Sequence, residues 1–61
     1  MVEPGQILRD DDHRPVKVRS IFKDSAGYKV RLERLDRRPR EHKEVIRWQA
    51  EVSHYPAWVQ A

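Results

Sequence analysis

The sequence predicts an all-β fold: a five-stranded SH3-like small barrel with one short helical turn before the last strand, spanning residues 1–61 as a single domain. Three observations predict it. Residues 16–23 and 28–35 alternate apolar and charged side chains around the turn formers Asp24-Ser25-Ala26-Gly27, the period-two pattern of a hairpin with one wet face. Short apolar runs on either side are set off by proline- and aspartate-rich stretches, which punctuate strands. Finally, a 61-residue chain without cysteine buries only about 60% of its unfolded surface. A β protein that small gains from closing its sheet edges.

Taken in order, Gly5-Gln6-Ile7-Leu8-Arg9 is a short strand entered through Pro4. Three consecutive carboxylates ahead of Pro15 make 10–15 a loop. The alternation of the next strand slips at Ser20-Ile21-Phe22, where a β-bulge would return Ile21 to the core side. Gly27 supplies a residue that tolerates positive φ at the end of the hairpin turn. Residues 36–42 are polar and broken by Pro39, hence a loop. Residues 43–48 read as a fourth strand with Ile46 and Trp48 facing in. Residues 49–55 suit one helical turn of 3₁₀ type that stops at Pro56, and 57–60 form the closing strand. A single helix over 41–54 ranks second, because Val45 and Ile46 are β-branched and no good N-cap precedes Glu41. The expected core is Ile7, Leu8, Val16, Val18, Ile21, Tyr28, Val30, Leu32, Ile46, Trp48, Val52 and Trp58.

The opening Gly5-Gln6-Ile7-Leu8-Arg9-Asp10-Asp11-Asp12-His13-Arg14 resembles that of a group of very short bacterial and phage proteins. Their pattern is Gly-Gln, an apolar pair, then Asp-x-Asp-x-Arg, followed by a basic, valine-rich strand like Arg14-Pro15-Val16-Lys17-Val18-Arg19. Ile46-Arg47, a short turn and an aromatic closing strand are similar too. A shorter connection before Val16 and a more basic loop at 37–40 depart from the pattern. The resemblance implies a small β barrel and brings no activity with it.

Charge carries the functional signal. The chain has 13 Lys and Arg against 10 Asp and Glu, net +3, but the excess is concentrated. Residues 1–14 are net −2, residues 15–40 net +6 and residues 41–61 net −1. In the hairpin, Lys17, Arg19, Lys29 and Arg31 point off the core face as neighbours on paired strands, and Arg37, Arg38 and Arg40 follow in the next loop. Like charges opposite one another destabilise a sheet, whereas phosphates set against them release counterions and favour the cluster. These seven residues are the candidate nucleic-acid contacts. The alternative is a protein–protein adaptor, or a phage-type inhibitor of a host protein, that docks through Asp10, Asp11 and Asp12. Of the aromatics, only Tyr28 is considered for base stacking; Phe22, Trp48 and Trp58 read as core.

Other classes lose ground. Without cysteine there is no disulfide scaffold, thiolate zinc site or cysteine nucleophile. His13, His42 and His54 lack the spacing of a helical zinc pair, and consecutive aspartates on an extended chain converge poorly on a cation. No serine or glycine-rich motif suggests nucleophilic or phosphate-transfer chemistry. The expectation is therefore a non-enzymatic module with no cofactor and no metal. No apolar run suits a membrane, and Met1-Val2-Glu3-Pro4 does not open a secretory signal, so a cytoplasmic location is expected. Small domains without staples often complete their cores by self-association, which leaves a homo-oligomer open.

Overall fold

A computed structural model describes residues 2–38 and 40–58. Four strands, β1 (Ile7–Arg9), β2 (Pro15–Asp24), β3 (Gly27–Arg34) and β4 (Glu44–Trp48), form one antiparallel sheet in chain order, followed by helix α1 (Gln49–Val52). The all-β class and the short helix before the last segment therefore stand. Among the described residues, the expected five strands and closed barrel give way to an open four-stranded sheet. The expected fifth strand is reduced to one antiparallel bridge, Leu8 with Ala57. It is flanked by Arg9 N–H donating to the Pro56 carbonyl at 2.9 Å and Trp58 N–H donating to the Ile7 carbonyl at 3.0 Å. Residues 59–60 of that expected strand lie outside the described residues.

The β2–β3 hairpin forms for the reasons its sequence suggests. The Asp24 Oδ1 accepts from the N–H groups of Ala26 at 2.9 Å and Gly27 at 3.2 Å, holding Ser25-Ala26 as the turn. Gly27 takes φ +132°, a conformation that strains any residue with a Cβ. The bulge sits one residue earlier than expected. Val18 pairs with Leu32 and Ser20 with Arg31, so Arg19 is the extra residue. One insertion is required because Val18 and Ile21, three apart, both face the core, which an unbroken period of two forbids.

Beyond the sheet, Val52 of α1 is fully buried and α1 packs on β3 and β4. The core is Val2, Leu8, Val16, Val18, Val30, Leu32 and Val52, with Ile21 and Tyr55 packed against it. The helix is α-helical, Ser53 N–H donating to the Gln49 carbonyl at 2.9 Å, rather than 3₁₀.

Strand β4 corrects the expected core. Leu32 pairs with Val45, and Val30 with Arg47, so Val45 and Arg47 share the core side while Ile46 and Trp48 face outward, each 47% exposed. A register slip of one residue exchanges the faces of a strand. Arg47 shares that parity yet stays exposed, lying with Asp10, Asp11, Asp12 and Tyr55 along the rim of a cavity at the core's edge. Tyr28 is likewise 54% exposed rather than buried.

Candidate nucleic-acid interface

Register assigns the outer face of the sheet. Phe22, Lys29 and Trp48 form one row across β2, β3 and β4. Ser20, Arg31 and Ile46 form the next, and Ile7, Lys17, Glu33 and Glu44 the third. The bulge adds Arg19, which lines a depression of about 400 Å³ with Ser20, Arg31, Glu33, Lys43 and Glu44. The four hairpin cations singled out in the sequence, Lys17, Arg19, Lys29 and Arg31, are thus brought to one side.

Their neighbours differ from expectation. No two of these cations stand directly opposite each other: Lys17 faces Glu33, Arg31 lies between Ser20 and Ile46, and Lys29 lies between Phe22 and Trp48. Two of them are paired, Lys29 with Asp24 at 2.8 Å and Arg31 with Glu44. Among the described residues, Lys17 and Arg19 form no ion pair. Hydrogen bonding from Lys29, and then from the Ala26 N–H, holds the Asp24 carboxyl below the usual carboxylate range. Such exposed pairs add little to stability.

The aromatic rings are the feature that sequence reasoning missed. Lys29 Nζ lies 4.9 Å from the Trp48 ring centroid and the Arg31 guanidinium 5.4 Å from that of Phe22, within cation–π range. Trp48 leans over the hairpin end, where its Cζ3 stands 3.5 Å from the place a Cβ on Gly27 would occupy. At the opposite edge the Arg9 guanidinium lies 5.3 Å from the Trp58 centroid. The only sequence signal for this arrangement is the apolar pair Ile46 and Trp48 sharing one parity with Glu44.

The loop cations go elsewhere. Arg37 and Arg38 approach Glu41 at 3.6 and 3.9 Å. Arg37 also lines a depression with Asp10, Asp12, Arg14 and Arg34, which ties it to the acidic loop; Arg40 is exposed. The register that unites the hairpin cations does not bring 37–40 to their rows.

The acidic loop is partly occupied with itself. Asp10 Oδ1 accepts from the N–H groups of Asp12 at 2.9 Å and Arg14 at 3.0 Å, and His13 N–H donates to the Asp10 carbonyl at 2.9 Å. This tight loop carries His13 at φ +61°. Arg14 donates to Asp36 at 2.8 Å, a hydrogen bond that holds the Asp36 carboxyl below its usual range. The cavity beneath Asp10, Asp11 and Asp12 measures about 80 Å³, well under the roughly 300 Å³ of a typical small-molecule site. Tyr55 lines it, and burial, followed by the charges of Asp11 and Glu51, pushes its hydroxyl pKa up. Among the described residues, no group of three or more His, Asp or Glu is placed to hold a metal ion. Comparison with protein-family models, curated proteins and solved structures found no match.

Proposed function

We propose that this domain is a non-enzymatic binding module that contacts nucleic acid through the outer face of its sheet, with Lys17, Arg19, Lys29 and Arg31 meeting phosphates. The observation that carries this reading is that register and the bulge gather those four side chains on one face beside the exposed Trp48 ring. Aromatic side chains interleaved with Arg and Lys suit a ligand that is both polyanionic and flat-faced. The loop cations Arg37, Arg38 and Arg40 become secondary, because the strand register does not bring them to the rows that hold Lys17, Lys29 and Arg31. The adaptor reading through Asp10, Asp11 and Asp12 draws no comparable support, since Asp10 is committed to its own loop.

Fluorescence anisotropy with labelled oligonucleotides at two salt concentrations tests the proposal. Binding is expected at low salt, weakening as salt rises, with the slope of log K on log salt set by the number of phosphates neutralised. The double variant Arg19→Glu, Arg31→Glu should lose binding yet keep the far-UV circular dichroism of the parent. Absence of binding at low salt, or full binding by a folded double variant, refutes it.

A further inference from the structure

The outer face is only modestly cationic. Register, the bulge and the depression beside it place Arg9, Lys17, Arg19, Lys29, Arg31 and Lys43 on it, but also Asp24, Glu33 and Glu44, so six positive charges meet three negative ones. A surplus of that size releases few counterions, and phosphate contact alone would bind weakly. What the face adds to charge is the exposed ring of Trp48, with the half-buried Phe22 in the same row. Phe22 and Trp48 flank Lys29 in one row, two strand spacings or about 10 Å apart. The Trp48 indole rests against Gly27 and under Lys29, yet remains 47% exposed.

We infer that this face takes a single-stranded polynucleotide rather than a duplex, with an unpaired base stacking on the open side of Trp48 and the adjoining phosphates passing over Arg31, Arg19 and Lys17. The inference rests on the nucleic-acid reading above and specifies its ligand. Bases inside a duplex already stack on one another and hide the surfaces an indole could meet, whereas unpaired bases splay onto aromatic side chains. A broad sheet face also fits a groove poorly; major grooves admit a helix or a two-stranded ribbon. Lys29, 4.9 Å from the ring centroid, adds charge next to a stacked nucleotide. Phe22 is half-buried and covered by Arg31, which leaves Trp48 as the stacking platform of this face.

The test compares an oligothymidylate, an oligouridylate and a mixed-sequence duplex of equal length at low salt. Anisotropy reads affinity and tryptophan emission reads stacking. The expected result is tighter binding of both single strands than of the duplex, by roughly ten-fold, with quenching that disappears in Trp48→Phe. Trp48→Ala should weaken single-strand binding by roughly ten- to a hundred-fold, the loss expected for one stacked base, and weaken duplex binding far less; Trp48→Phe should retain most of the affinity. Equal affinity for single strands and duplex, unchanged by Trp48→Ala, overturns base stacking while leaving the phosphate-binding reading intact. No binding of any oligonucleotide overturns both. A concentration-dependent dimer lost in Trp48→Ala, with no effect of that variant on oligonucleotide binding, would reassign the rings to self-association and also overturn the inference.

Discussion

The two faces of the sheet use the same strands for opposite ends. On the inner face Leu8, Val16, Val18, Val30 and Leu32 are sealed, with Val52 of α1 among them. On the outer face larger apolar side chains, Ile46 and Trp48, stand half in water, and cations lie against two of the rings. Bulk therefore does not decide which residues are buried in this domain; parity and register do. The inner face accounts for the hydrophobic stabilisation, at roughly 1.5 to 3 kcal/mol for each fully buried large side chain. The outer face is under little demand from folding, which leaves its composition free to serve contact.

The sharpest way to break this comparison is to truncate one side chain from each face. Leu32→Ala should cost about 2–5 kcal/mol, enough to unfold much of a small domain, whereas Ile46→Ala should cost under about 1 kcal/mol because half of that side chain is already wet. Urea midpoints measure both. Equal losses would mean that the outer face is buried in solution.

A smaller effect is expected at the acidic loop, where Asp10→Ala removes the acceptor of two backbone N–H groups. By analogy with helix caps the loss is about 1 kcal/mol, or about 4–8 °C in thermal midpoint for a domain of this size. Asp10→Asn keeps an oxygen acceptor and should lose much less. A neutral Asp10→Ala would return that carboxylate to the list of groups free for a partner.

The smallest effect is acid dependence. Asp24 and Asp36 are partly exposed carboxylates whose pKa values are lowered by hydrogen bonds from Lys29 and Arg14. A lowered folded value means that their contribution is complete above the ordinary carboxylate range and disappears as pH falls through the lower folded value. Thermal midpoints should therefore hold from neutral pH down to that range and decline below it. Asp36→Asn should flatten part of the decline. Asp24→Asn keeps the turn acceptor, frees Lys29 and should strengthen oligonucleotide binding about two-fold, a gain of order 0.4 kcal/mol.

The hairpin was legible in the sequence because its signals are local: alternation, an aspartate to bind the turn and a glycine to end it. The need for a bulge was legible from the spacing of Val18 and Ile21. The orientation of β4 was not. Val45-Ile46-Arg47-Trp48 offers apolar side chains at both parities, and the larger pair drew the assignment inward. The deciding contacts are distant in sequence: Val45 against Leu32, and Arg47 beside the acidic loop and Tyr55. Val2 and Tyr55 escaped for the same reason, since each is placed by packing between ends of the chain. The charge map failed similarly. A linear count over 15–40 has no place for Glu44, which arrives from β4 onto Arg31.

The single extra residue at Arg19 has a consequence for how this protein can change. It works as a frameshift in space: every position of β2 downstream of it keeps its wet or dry assignment only while the extra residue is present. Removing it would send Ile21 into solvent and Phe22 into the interior, dismantling the aromatic row and the core together. Point substitutions at Arg19 leave that count intact, so the fold tolerates a change of chemistry at this position, whatever binding loses by it, but not a change of length.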